Sequence, residues 1–388
     1  MDIHIPRPHI PRPRWFAARN LAHPSALGDT LRVDLSKASL GVPLRVGAAV
    51  GVVLVVGGLL GQFSLAGFAA LGALVSAFCR PDPYRVRFGR LLVMGVGLVV
   101  SLVCGAVLGA MSASVWTEIA VLSLLGGVAS LLIGALHITG PGAVVFVFGA
   151  TGSAGFAQDF GDVGRVAVAT GIGVVCGIVA SMSPWIVERV RRGSEVDGPV
   201  SAGPPAYESV WTCVTRWPHA DQVHAALRIV VASGISGAVA VAIGLSHPLW
   251  ASMGAVAAMQ GIRYHRTVQR GIARLVGNVV GGVIAAALLA LPLGHWGAIV
   301  AIVVLQVIAE ICAPWNYAIT SAVVTPMALL MTALSVGLDP SIAVDRVLDT
   351  LVGVIIGIVI ALLTVTRPDI DGILESTGVR HPGAGTAG

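Results

Sequence analysis

The chain has 388 residues, of which only 11% are charged and 56% are apolar before its 49 glycines are counted, whereas soluble domains carry about 25% charge. With a mean hydropathy of +0.89, too little polar surface exists to coat a water-soluble globule of this size, so the chain reads as an all-α polytopic membrane protein. The net charge of +5 does not mark a nucleic-acid binder, because the basic residues fall in short clusters between apolar runs.

Residues 1–44 make a basic, proline-rich arm with Pro6, Pro8, Pro11 and Pro13 among Arg7, Arg12, Arg14 and Arg19. It has no seven-residue apolar core ahead of a small-residue cleavage site, so insertion is expected to begin with the first span. Apolar runs at about 45–62, 63–78, 91–110, 115–135, 141–158 and 166–186 predict six helices, a first membrane repeat over 45–186. A polar stretch at 187–227 reads as a linker. The pattern resumes at about 228–245, 247–261, 275–292, 295–313, 317–336 and 350–366, a second repeat over 228–366, and 367–388 is a tail. The second helix of each half, at about 15 residues, is short enough to be a half-span.

Charge placement tests this count of about twelve helices, because basic residues stay on the cytoplasmic side. With the N-terminus inside, 22 of the 24 Lys and Arg fall inside and only Arg165 and Arg346 outside. Both termini and the linker are therefore expected in the cytoplasm of a bacterial cell, and the protein in its inner membrane. Adding 183 to Arg45, Gly61, Arg80 and Arg87 lands on Arg228, Gly244, Arg263 and Arg270. Adding 181 takes Arg165 to Arg346, and adding 180 takes Trp116, Gly173 and Gly177 to Trp296, Gly353 and Gly357. Two six-helix copies of even span number share one orientation, so they are expected to be parallel repeats.

Glycines four apart, Gly57/Gly61, Gly105/Gly109, Gly173/Gly177, Gly277/Gly281 and Gly353/Gly357, are expected to let helix backbones approach closely. Arg263, Arg266, Arg270 and Arg274 form one basic stripe leading into the ninth span. It reads either as an inside anchor on anionic lipid or as an electrostatic funnel for an anionic solute. Glu310 lies well inside an apolar run, where it faces a cavity, pairs with a base of the inner loop, or takes up a proton. Glu118, three residues into its span, is expected at the outer interface. Thr325 and Pro326 fall mid-way along the eleventh span, where the proline frees a carbonyl and predicts a kink; Thr151, Gly152 and Ser153 predict a weaker one in the fifth. Arg346, Asp349 and Thr350 are one turn apart at the outer start of the last span, as expected of a local ion pair. Ten histidines lack metal spacing, the five cysteines are scattered and odd in number, and there is no Walker sequence. No catalytic residue, metal or cofactor is expected.

The second half resembles the fusaric acid resistance-like (FUSC) membrane family, which is related to aromatic acid exporters and, more distantly, to plant aluminium-activated malate transporters. The resemblance rests on HPLWASMGAV (His247 to Val256), on Arg274, Gly277 and Gly281 in RLVGNVVGG, on NYAITSAVVTPMALL (Asn316 to Leu330) and on RVLDTLVG (Arg346 to Gly353). The family usually has Thr where Asn278 stands. What the resemblance implies is export of small organic anions, aromatic carboxylates among them, or anion conduction; the substrate and ion pathway is expected to run past His247, Trp250, Glu310, Asn316, Thr325, Pro326, Arg346 and Asp349. The expectation is thus a proton-driven carboxylate exporter, with a passive anion channel and a non-transporting scaffold for envelope proteins as rivals. Its partners are the bilayer, the anion and, if it self-associates, copies of itself.

Overall fold

The computed structural model describes residues 40–192, 212–213, 220–260, 264–336 and 342–364. Most of the arm, the linker and the tail lie outside them, as does Arg263. Among the described residues the chain is helical throughout, in twelve helices. These are α1 (Gly41–Leu59), α2 (Phe63–Ala73, prolonged by a 3-10 turn, Leu74–Ala77), α3 (Tyr84–Ala110), α4 (Val115–Ala135), α5 (Val144–Phe156) and α6 (Phe160–Arg192). Then follow α7 (Ala220–Ala242), α8 (Pro248–Met259), α9 (Tyr264–Ala290), α10 (Gly294–Cys312), α11 (Tyr317–Val336) and α12 (Ile342–Leu363). Nine of these are long and apolar enough to cross a membrane. A helix satisfies its backbone within itself, which is what lipid demands of any spanning segment. Leu92, Val175, Val283 and Ile355 lie on the outer surface, an apolar coat suited to acyl chains.

The three short helices are α2, α5 and α8. At 1.5 Å per residue, the 12 residues of α8 rise only about 18 Å against a hydrocarbon thickness of about 30 Å. Such helices need protein around them, and ten of those 12 residues are buried. Shortness was expected for α2 and α8. In α5 it corrects the expected run of 141–158: Gly140 and Gly142 have φ of 159° and 89° around Pro141, so the helix starts only at Val144 and runs 13 residues.

Gly61 (φ 69°) and Gly244 (φ 75°) end α1 and α7 in the left-handed conformation; Gly61 lies beyond α1 with nothing within 4 Å of its Cβ position, so the close approach expected of the Gly57/Gly61 pair is not made there. In each case the next residue donates back across the turn, Gln62 N to Gly57 O at 2.8 Å and Leu245 N to Ala240 O at 3.0 Å. A side chain with a Cβ is disfavoured at that position.

The close helix pairs are α3 with α5, α2 with α6, α9 with α11, and α8 with α12. At each seam a glycine lies against a backbone carbonyl: Gly105 on Ala150, Gly109 on Ala154, Gly173 on Ala69, Gly177 on Ala73, Gly277 on Ala318 and Gly353 on Ala251. Between the halves, α1 packs on α10 and α4 on α7. The kink expected at Pro326 does not interrupt α11, which is helical on both sides of it. The carbonyl that Pro326 leaves without its helical donor is that of Ala322, which lies where a Cβ on Gly281 would be, 2.6 Å away. The bare glycine accommodates the defect.

Candidate functional site

A cavity of about 430 Å³ opens at the end of the bundle where α4, α8 and α12 begin. Two of the short helices meet at it, α5 ending and α8 beginning along its wall. Its walls are mainly apolar and aromatic, from Phe68 on α2, Phe148 on α5 and Trp250 on α8, with Glu118, Thr151 and His247 among the polar members. Pro248 opens α8 at its first turn and His247 precedes it, so the histidine is held at the cavity edge. Its ring stacks on Trp250, centroids 4.3 Å apart at 12°, and its Nδ1 lies 3.3 Å from Asp345 Oδ2.

Behind Trp250 lies a buried polar group. The Arg346 guanidinium sits 5.0 Å from the Trp250 ring centroid, with Nη2 4.0 Å from Met253 Sδ. Asn278 on α9 donates from Nδ2 to the Arg346 carbonyl at 3.1 Å, and its Oδ1 lies 2.8 Å from Thr325 Oγ1. That hydroxyl is also 2.8 Å from the Ser321 carbonyl, one turn back. Asp349 follows Arg346 by three residues and is 1% exposed. The local Arg346/Asp349 ion pair expected from the sequence is not formed. Among the described residues no hydrogen-bond partner reaches either Asp349 oxygen. The last helix begins eight residues before the expected 350, which carries both charges into the bundle.

The other end, where α3 and α9 begin, is closed by a second polar group. Glu310 ion-pairs with Arg80 and accepts from Gln306 Nε2 at 3.0 Å. Arg80 is in turn held by its own bond to the Ala77 carbonyl, and burial lowers its pKa from the usual guanidinium value. Asp82 pairs with Arg90 at 2.8 Å, and Arg87 donates to the Arg80 and Asp82 carbonyls. Burial, then the Asp82 carboxylate, pushes the Cys79 thiol up to about 12.

The site residues read from the sequence therefore separate into two ends. His247, Trp250, Arg346, Asp349 and Thr325 come together at or just behind the cavity. Glu310 does not; it pairs with Arg80 in the turn between α2 and α3. Asn316 is not in the cavity either: its Oδ1 accepts from Ala318 N at 2.7 Å and Ile319 N at 3.3 Å, the cap of α11. Pro326 is enclosed in α11. Of the basic stripe, Arg270 lies 4.2 Å over the Tyr317 ring and donates to Gln260 Oε1, while Arg274 is buried. These two do not form an exposed mouth, and the Arg266 side chain lies outside the described ones. Glu118, read as an interfacial residue, lines the cavity. Asn278, noted only as a departure from the family, links α9 to α11 and α12. A polar side chain one position from a packing glycine was the signal for it.

Residues 235–360 match the family described as fusaric acid resistance protein-like, the segment that holds α8 to α12 and the whole buried polar group. An uncharacterized membrane protein of Bacillus subtilis (strain 168), YvaC, is 29% identical over 143 residues, 37% of this chain. The matched region spans 22% of that relative's length. No solved structure matches the chain.

Proposed function

We propose that this membrane protein, similar over its second half to the fusaric acid resistance-like family, carries small organic carboxylates out of the cell across the inner membrane, with proton movement linked to theirs. The observation that carries the reading is the cavity whose aromatic walls end at Trp250 with a buried guanidinium behind it. A pocket of about 430 Å³ suits a molecule of benzoate size or somewhat larger, and a guanidinium recognises a carboxylate bidentately. His247, Trp250, Thr325, Arg346 and Asp349 make up the pathway in this reading. Both termini and the linker are cytoplasmic, which puts the cavity mouth on the outer face. The two halves are parallel copies: the matching helix pairs, the two glycine-terminated helices and the positional coincidences in the sequence all support this.

Reconstitution into liposomes with an imposed pH gradient and a panel of aromatic and aliphatic carboxylates tests the proposal. Saturable flux of at least one carboxylate, lost in Arg346→Ala, is the expected result. Flux that never saturates and carries ionic current would replace the transporter with an anion channel. No flux of any member of the panel, from protein that is folded, would remove the transport reading.

A further inference from the structure

Asp349 is the most deeply buried carboxyl among the described residues, at 1% exposure, and neither of its oxygens meets a donor there. Three helices pack on α12: α7, α8 and α9. From Pro248 to Met259, α8 has no ionisable residue, and those of α7 lie in its first nine residues, Asp221, His224 and Arg228. From α9, Arg274 acts on Arg346 through its charge. The charges that act on Asp349 itself are Arg346 and Asp345 of its own helix, and Asp345 Oδ2 lies 3.3 Å from His247 Nδ1. Among the described residues Arg346 is thus the cation positioned to serve Asp349. Its guanidinium nevertheless lies along Trp250 and Met253, and its Nε has no partner.

A buried carboxyl without a donor holds either a proton or a counter-ion, and a buried guanidinium without an anion is as costly. Residues three apart on a helix share a face, so rotation of the Arg346 side chain carries the guanidinium between Asp349 and the Trp250 wall, and the ring must turn aside for a carboxylate in the cavity to reach it. One guanidinium cannot serve two carboxylates.

We propose that Arg346 is the anchor for the substrate carboxylate and that Asp349 gives it up only by taking a proton, so that each carboxylate binds together with one proton. This deepens the transport reading and rests on it. The exchange balances: Asp349 carboxylate, a proton from water and the incoming carboxylate become neutral Asp349 acid and an Arg346–carboxylate pair. Proton and carboxylate then cross in the same direction, the loaded site gains no net charge, and efflux follows the outward gradient of the acid. The first half has no such site. The position 181 before Asp349 is Val168, and Arg165 is a surface residue, its side chain 66% exposed and 3.0 Å from Asp162.

The test has two arms. In the first, infrared difference spectra of purified protein are recorded across pH without any carboxylate present. A protonated-carboxyl band that titrates in the wild type, persists in Glu310→Gln and vanishes in Asp349→Asn is expected; absence of a titrating band assignable to Asp349 overturns the proposal. In the second, efflux of labelled benzoate, and of the carboxylate panel if benzoate is not carried, is measured from liposomes under a potassium diffusion potential. Wild-type flux should be indifferent to voltage. Asp349→Asn keeps Arg346 free without a proton, so its flux should become voltage-driven, with the steady-state gradient moving about fifty-fold for a potential of about 100 mV, the value of one charge. Asp349→Glu should stay electroneutral. Voltage-driven flux in the wild type overturns the proposal even if Asp349→Asn fails to fold. No flux of any carboxylate overturns the transport reading instead, and the infrared arm still decides whether Asp349 takes up a proton.

Discussion

Arg80, in the turn between α2 and α3, and Glu310, two residues before the end of α10, form an ion pair that ties the first half of the chain to the second at the end opposite the cavity. Gln306 fixes the carboxylate from one turn away. The pair gives Glu310 a structural account where the sequence alone favoured proton coupling or gating, and it makes the predicted consequence of neutralising it a loss of folded protein. Removing one member of a buried pair leaves the other uncompensated. With the Arg80 side chain 25% exposed, Glu310→Gln is expected to cost roughly 1–3 kcal/mol. The thermal midpoint in detergent should fall, and the double exchange Arg80→Glu with Glu310→Arg should recover part of it. A Glu310→Gln protein of normal stability that has lost proton-linked transport would return the coupling role to Glu310.

At the α2/α6 seam the position of a Cβ on Gly173 is taken by the carbonyl of Ala69. Gly173→Ala is expected to destabilise by about 1–3 kcal/mol through overpacking, because a backbone carbonyl cannot move aside as a side chain can. Gly171→Ala, two residues away, meets nothing within 4 Å and should be neutral or slightly stabilising. Equal midpoints for the two variants would show that the seam is looser than its geometry implies.

Trp250 separates the cavity from Arg346 and stacks with His247. Its removal takes away both an aromatic wall and the surface on which the guanidinium rests. Trp250→Ala should raise the half-saturating carboxylate concentration about tenfold, a stacking loss of about 1.4 kcal/mol. Trp250→Phe should recover most of this, since a ring face remains. Transport kinetics in proteoliposomes would read the difference, and unchanged half-saturation in Trp250→Ala would take this wall out of the binding site.

The Cys79 thiol, fully buried with its pKa pushed up to about 12, should be inert. At neutral pH it has almost no thiolate, the form that attacks. A maleimide should leave Cys79 unmodified in folded protein and label it after denaturation, as read by mass spectrometry of the peptide. The sign of the accompanying pH effect follows from the raised value. The folded state holds this proton more tightly than the unfolded one, so the contribution to stability is present below about 9 and is lost as pH rises toward 12. Cys79→Ala should flatten that alkaline fall.

The charge bias predicts that a cysteine placed at position 198, in a Cys-free background, is reached by impermeant reagent only after the membrane is opened. Labelling from outside intact cells would invert the topology and with it the side on which the cavity opens.

The membrane class, the places where helices recur and the glycine seams were legible in the sequence, because each depends on local quantities. Hydropathy over a span sets insertion, and glycines four apart occupy one face of a helix whatever its neighbour. The shortness of α2 and α8 was visible for the same reason. The shortness of α5 was not, since it depends on how the two glycines around Pro141 bend the chain. Where a side chain ends was decided only by packing. Nothing in VVLQVIAEICA says that Glu310 meets an arginine 230 positions away, nor does Arg346, placed by sequence at an outer margin, announce that α12 begins early enough to bury it. A lone charge in an apolar run signals that something must compensate it. Which partner does so, or whether a proton must, is fixed by the neighbours that the fold delivers: a guanidinium for Glu310, and for Asp349 surroundings in which, among the described residues, neither oxygen meets a donor.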